Sequence, residues 1–300
     1  MKVFLTGGTG YVGSRILTDL LSAGHEVKAL VREGSEEKLP VSRDEIEIVT
    51  GDALDKSSFA PSLGDCDAVI HIIGIIREFP WKGITFQKMH VKASENLIDA
   101  AIENDVGRFI YMSALGAKLD SKSGYFTTKA QVEDQLRESG LDYTIFKPSI
   151  IFGPGDEFIN YFADMMKTFH VLPIIGKGKY RMQPVHISNV SQAFVQALTT
   201  PESIGKIYEI GGPDRYEYTE MMRRVKSTVG TFALFLHIPK VLMQWMAKLL
   251  QSLPFFPVTE AQIIMLYDEN ITEDNRAWED FDLDPVGFEE GINRYLGDTE

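Results

Sequence analysis

The sequence predicts an α/β fold built on a doubly wound parallel sheet, with a smaller C-terminal part, and three observations carry that expectation. Short apolar runs alternate with longer amphipathic segments through the first half, the rhythm of a parallel sheet covered by helices. A glycine-rich turn follows the first of those runs directly. At 300 residues the chain is also long enough to bury a large core around such a sheet.

Taken in order, the expected strands are "KVFLT" (2–6), "EVKALV" (26–31), "IEIVT" (46–50), "DAVIHII" (67–73), "RFIYMS" (108–113) and "DYTIFKP" (142–148). Their Val, Ile, Phe and Tyr content suits a pleated surface buried on both faces. Helical periodicity fills the gaps at 12–23, 56–63, 86–104 and 124–139. After Pro148 the rhythm loosens into "SIIFGPGDEF" and the loop "IIGKGKYRMQP", then a helix at 188–199 and the short strand "KIYEIGG". "IPKVLMQWMAKLLQSLPFFP" (238–257) reads as a helix between prolines. Its Val241, Leu242, Trp245, Met246, Leu249 and Leu250 recur at helical spacing, which predicts core packing, with a membrane-surface helix as the alternative. "DPVGFEEGINRYL" predicts a closing helix capped by Asp284 with Pro285 at its first position.

Hydrophobic content of 44% with 24% charged residues is that of an ordinary globular protein, and no run approaches the roughly 20 apolar residues that span a bilayer. A formal charge of −13 repels phosphate backbones and anionic lipid, and no local basic patch is visible, so neither nucleic acid nor an acidic membrane is an expected partner. The lone Cys66 excludes an internal disulfide and a cysteine-rich zinc site, and its apolar neighbours predict a packed core residue. The opening "MKVFLTGGTG" leaves no room for a leader before structure begins, so a cytoplasmic location is expected.

"TGGTGYVGSR" sets Gly7, Gly10 and Gly13 three apart, between a strand and a helix. Gly7 permits the tight turn, Gly10 lets the backbone approach a pyrophosphate, and Gly13 lets helix and strand pack closely. Tyr11, Val12 and Gly13 open the helix whose dipole favours an anion. The spacing is GxxGxxG, and its place in the first βαβ unit makes residues 1–150 an expected dinucleotide-binding, Rossmann-type domain. "ALVREGS" places Arg32 where a 2'-phosphate would lie, which favours NADP(H) over NAD(H); the adjacent Glu33 is the competing ribose ligand. In "TGDALD", Asp52 and Ala53 are candidates for the adenine end, while Asp55 reads as a helix cap.

Together, TGGTGYVG, Asp52, Ser113 and Tyr125-xxx-Lys129 resemble the short-chain dehydrogenase/reductase superfamily. "KPSIIFGPGDEFINYFADMMK", "VLPIIGKGKYRMQPVHISNV" and the Pro-bounded helix extend the likeness over nearly the whole chain. They point to the atypical branch that contains the NADPH-binding accessory subunit of respiratory complex I, with a broader similarity to epimerase/dehydratase-like and NmrA-like proteins. The resemblance implies that Tyr125 is the acid-base group, that Lys129 lowers its pKa and binds the nicotinamide ribose, and that Ser113 polarises a substrate carbonyl or hydroxyl. One helical turn separates Tyr125 from Lys129, so both can face one cofactor edge. Gly74 and Pro148, after the fourth and sixth strands, would approach the cofactor. Arg181 and Gln183 in "KGKYRMQP" would meet substrate, within a mixed substrate-side region over 151–300 that returns elements to the sheet.

Two positions depart from sugar-modifying relatives: His90 stands in place of an Asn, and "HISNV" has Asn189 in place of an acid. His90 and His186 read as hydrogen-bonded structural histidines, and no metal site is expected. Three functions follow as expectations. The first is an NADP(H)-dependent oxidoreductase acting on an unidentified small carbonyl, quinone or hydroxyl compound. The second is a non-catalytic NADP(H)-binding protein that docks onto a complex, and the third is a nucleotide-sugar epimerase or dehydratase.

Overall fold

The computed structural model describes residues 1–250 and 258–297, with the side chains of Leu249 and Leu250 outside that description. In chain order the elements are β1 (Lys2–Thr6), α1 (Tyr11–Ser22), β2 (Glu26–Val31), β3 (Glu47–Thr50), β4 (Ala68–His71), α2 (Ala93–Glu103), β5 (Arg108–Met112), α3 (Gly124–Glu138) and β6 (Asp142–Pro148). There follow β7 (Ile151–Phe152), α4 (Ile159–Phe169), β8 (Val171–Ile175), β9 (Arg181–Met182), β10 (Val185–His186), α5 (Ile187–Ala197) and β11 (Lys206–Ile210). The last are β12 (Tyr216–Glu217), α6 (Tyr218–Thr228), β13 (Leu234–Ile238), α7 (Lys240–Leu250), α8 (Glu260–Tyr267), α9 (Arg276–Asp280) and α10 (Phe288–Leu296).

The chain divides into two compact units. One comprises Met1–Pro148, Ser188–Ile210 and Asp274–Leu283; the other comprises Ser149–Ile187, Gly211–Glu273 and the segment from Asp284 onward. The first unit carries a parallel sheet in the order β11-β6-β5-β4-β1-β2-β3. The order reverses between β1 and β4, the position at which an open α/β sheet leaves a crevice at its C-terminal edge. Every residue of β4 is buried, as expected of a strand covered on both faces. Arg108 fastens the later segments to this sheet. Its buried guanidinium donates to Asp142 O (2.6 Å), Thr144 Oγ1 (2.7 Å), Ala197 O (2.6 Å) and Ser203 Oγ (2.9 Å).

The six early strands fall where periodicity places them, whereas three other segments differ. Residues 56–63 form two short 3₁₀ turns, Lys56–Ser58 and Ala60–Leu63, because Pro61 removes a backbone donor and clashes with a continuous α-helix. Asp55 caps the first of them, accepting from Ser57 N at 3.1 Å. A wider π-type turn, Gln87–Lys92, precedes α2. The closing helix starts at Phe288, where Asp214 Oδ2 accepts from Phe288 N at 3.0 Å, so Asp284 is not its cap.

The second unit packs α4, α6 and α10 around Phe152, Met166, Met221, Met222 and Phe288. Helix α7 departs from the expected packing at three positions: Met243 and Ala247 are buried with Met246 packed beside them as expected, whereas Val241, Leu242 and Trp245 are exposed, and the side chains of Leu249 and Leu250 lie outside the described residues. Small Ala247 and flexible Met243 fit against Ile175 and Ile263, and the bulkier stripe is turned outward. Residues 251–257 of the expected helix lie outside the described residues.

Candidate nucleotide and catalytic site

At the C-terminal edge of β1 the backbone itself forms a cradle. Gly7 has φ +83°, and a Cβ there would stand 3.0 Å from Ile72 Cγ1. Gly10 N donates to Gly7 O at 3.0 Å and closes the turn. A Cβ at Gly13 would lie 2.0 Å from Gly7 O, a separation that no side chain can satisfy. Tyr11, Val12 and Gly13 form the first turn of α1, directly after the glycine turn, and a helix N-terminus there carries partial positive charge.

The register brings the adenine-side candidates to the same edge. Thr6 lies beside Leu30, and Val31 beside Thr50, so Arg32 and Asp52 follow strands that end next to the glycine turn. Both are exposed. Asp52 Oδ1 accepts from Leu54 N at 2.9 Å, which orients the carboxylate. Ala53 is buried beneath, and Asn96 of α2 donates to Ala53 O at 2.8 Å. Asn96 carries no motif, and only the fold reveals that it pins this loop.

Beyond β4, Gly74 lies against α3: a Cβ there would be 3.3 Å from Lys129 Nζ and 3.7 Å from His90 Nε2. Lys129 is buried, donates to Met112 O at 2.8 Å and sits 4.9 Å above the Tyr111 ring. Burial lowers its pKa to about 7, against the opposing pull of Glu133. Tyr125, one turn earlier, is caged edge-on by Phe86 (5.9 Å), His90 (5.4 Å) and Phe126 (5.5 Å). In place of the expected lowering, burial pushes its phenol up to about 12.

His90 is the hydrogen-bonded structural histidine expected from the sequence. Nδ1 meets Thr128 Oγ1 at 2.9 Å and Nε2 meets the Ile75 backbone at 3.1 Å. Burial and then the Lys129 charge hold it down to about 2. His71 is a second neutral histidine, between Thr6 Oγ1 (2.7 Å) and Ser94 Oγ (2.9 Å). Burial, followed by Lys129, lowers it to about 3.

Ser113 follows β5 and is buried. Its hydroxyl donates to the buried Glu133 carboxylate at 2.5 Å, so its proton is engaged and it presents lone pairs. Glu133 in turn pairs with Lys147 (3.4 Å) and Arg137 (3.3 Å). Glu133 lies one turn beyond Lys129, and that spacing is the sequence signal for it. Pro148 closes β6 beside Ile210, and its carbonyl accepts from Leu115 N at 3.0 Å.

Arg181 and Gln183 belong to the second unit, where the structure engages both side chains. The exposed Arg181 fork grips Glu269 at 3.0 and 2.6 Å. Gln183 is buried, with its amide donating to Gly212 O (2.7 Å) and accepting from Thr272 N (2.9 Å). Its role is to hold loops together, because burying an amide requires such partners. His186 is also buried, edge-on to Phe152 at 5.2 Å. Among the described residues no cluster of His, Cys, Asp and Glu could hold a metal.

Residues 7–157 match the family described as NAD(P)H-binding. The chain belongs to that family. It is similar to the NADH dehydrogenase [ubiquinone] 1 alpha subcomplex subunit 9, mitochondrial, of Mus musculus, at 29% identity over 84% of this chain and 68% of that protein. It is also similar to the ceramide reductase of Caulobacter vibrioides, at 27% identity over 79% of this chain and 73% of that one. A UDP-glucose 4-epimerase structure from Thermotoga maritima superposes with TM-score 0.78 at 20% identity, covering 99% of this chain and 97% of that chain. At that identity the superposition speaks for the fold, a Rossmann-like parallel sheet with flanking helices.

Proposed function

We propose that this NAD(P)H-binding protein prefers NADP(H) over NAD(H) and is a cytoplasmic reductase, moving hydride from nicotinamide to a carbonyl or quinone carbon. The observation that carries the reading is Lys129 Nζ beside Gly74, one turn from Tyr125, on the sheet edge that also bears the glycine cradle. That cradle fits a dinucleotide: it has no side chains where a diphosphate would rest, and donors face it.

Gly10 and the first turn of α1 would receive the diphosphate, Arg32 the 2'-phosphate, Asp52 the adenine and Lys129 the ribose hydroxyls. When bound, the nicotinamide supplies the hydride. Tyr125 supplies the proton. Its phenol, pushed up to about 12 by burial, carries its proton at neutral pH, so a donor for a carbonyl oxygen is in place. The similarity to a protein named ceramide reductase supports the same chemistry.

A second reading is a non-catalytic nucleotide-binding assembly protein. It is favoured by the engagement of the Ser113 proton with Glu133 and by the similarity to a subunit of a larger dehydrogenase. The epimerase reading rests on the fold alone, and this chain carries His90 and Asn189 where sugar-modifying relatives carry an amide and an acid.

A carbonyl and quinone panel with NADPH tests the assignment. Tyr125→Phe is expected to abolish turnover and leave NADPH affinity within about twofold, since binding and proton donation use different groups. Tight NADPH binding without hydride transfer across the panel would give the second reading.

A further inference from the structure

We propose that the second unit docks on an anionic phospholipid bilayer through the surface built by β13 and α7. The sequence observation is a charge anomaly. The chain has 43 acidic residues and a net charge of −13, yet none lies between Glu220 and Glu260, where Arg223, Arg224, Lys226, Lys240 and Lys248 fall. Arg224 is engaged with Glu220 and Glu289, and Arg223 lines the same pocket as those carboxylates, so Lys226, Lys240 and Lys248 carry the excess positive charge.

The structure turns the apolar side chains of that same stretch outward. Strand β13 pairs in parallel with β8, Leu234 beside Val171 and Leu236 beside Pro173. Residues in register on parallel strands point to one face. The alternate β8 residues, Leu172 and Ile174, face the core, so Leu234 and Leu236 face away from it; both are more than half exposed. Phe232 and Phe169, at the entries to the two strands, are exposed as well.

Pro239 then leads into α7, which packs through Met243 and Ala247 and leaves Val241, Leu242 and Trp245 more than half exposed. Spacings of three and four make those three one stripe. Lys248, three residues beyond Trp245, is exposed too. Lys226 Nζ donates to Ala233 O at 2.9 Å and lies 5.3 Å from the Phe232 ring, which fixes a cation at the apolar end of β13.

Exposed Phe, Leu and Trp call for a partner that removes them from water. Cations among them, in a stretch without acids, call for a partner that is negative. Trp and Phe that enter the headgroup boundary while lysines reach lipid phosphates meet both demands. Among the described residues no helix is long and apolar enough to cross a membrane, so the contact is one of lying on the surface. Such a surface repels the acidic remainder of the chain, which leaves this face as the one that approaches it.

The test is co-sedimentation of the full chain with phosphatidylcholine vesicles, with and without 30% phosphatidylglycerol as the probe composition (about one anionic lipid in three). A variant retaining Trp245 alone, with Trp81→Phe and Trp278→Phe, reports insertion. At least about tenfold stronger binding to the anionic vesicles is expected, weakened by salt, with a blue shift of Trp245 emission. Leu236→Ser with Trp245→Ser should remove that binding, and Lys226→Glu with Lys240→Glu and Lys248→Glu should remove its lipid selectivity. Unchanged circular dichroism and an unchanged thermal midpoint would confirm that these variants are folded. Absence of binding to anionic vesicles, or binding unaffected by the substitutions, would overturn the proposal. A concentration-dependent dimer dissolved by Leu236→Ser with Trp245→Ser would also overturn it, and would assign the face to a second copy.

Discussion

The glycine turn and the Tyr125–Lys129 cluster stand on one edge of the same sheet, yet they are made of different material. The turn is backbone, and the diphosphate role proposed for it rests on N–H groups and on side chains that are absent. The cluster is side chain, and its chemistry depends on burial: desolvation pushes Tyr125 up to about 12, lowers Lys129 to about 7 and leaves His90 neutral. A backbone site tolerates little substitution and little change with pH. A buried titratable site is governed by both.

The sharpest break should come at the turn. Gly13→Val places side-chain atoms on Gly7 O and should weaken NADPH binding by more than about 100-fold, with a stability loss of about 3 kcal/mol from overpacking. Calorimetry and thermal melts would measure both. If Gly13→Val bound NADPH normally, the backbone account of the cradle would fail.

The next effect belongs to the cluster's hidden support. Glu133→Gln leaves Lys147 without its buried carboxylate and should cost about 3 kcal/mol in denaturant unfolding. An unchanged midpoint would show that Glu133 holds nothing. Arg32→Ala sharpens cofactor choice: NADPH affinity should fall about tenfold while NADH affinity stays unchanged, because a charge-assisted phosphate contact is worth about 1.5–3 kcal/mol. Equal loss of both would sink the 2'-phosphate role.

Lys129→Met gives the smallest effect and the most specific in its pH dependence. Because the folded pKa of Lys129 is lowered from 10.5 to about 7, the unfolded chain binds the extra proton between those values, and stability contributed by this group rises with pH across that window. Below about 7 the full cost of burying the charge remains. The melting temperature of Lys129→Met relative to the parent should therefore be higher at pH 6 than at pH 9, while NADPH binding weakens about tenfold through the lost ribose contact. A pH-independent difference would show that Lys129 is not desolvated.

Legibility along the chain follows the same division. β1 through β6 are readable because strands buried on both faces must be apolar, and Gly7, Gly10 and Gly13 are readable because their conformational needs exclude other residues. The break at Pro61 is also written in the sequence, and periodicity alone passes over it. Ser113, Arg181 and Gln183 are only half legible for a common reason: a polar side chain shows what it can bond to, and only its neighbours show what it does bond to. Glu133 takes the Ser113 proton from another element, Glu269 takes the Arg181 fork, and Gly212 and Thr272 take the Gln183 amide.

By itself the sequence determined the α/β class, the strand segments, the nucleotide turn and the adjacency of Tyr125 to Lys129, since each follows from local sterics or from a repeat of 2 or 3.6 residues. Tertiary structure alone decided which faces are buried and which charges meet. That is why it alone could turn Trp245 outward, commit the Ser113 proton to Glu133 and set the protonation states around Tyr125: desolvation and partner choice arise between residues far apart in the chain.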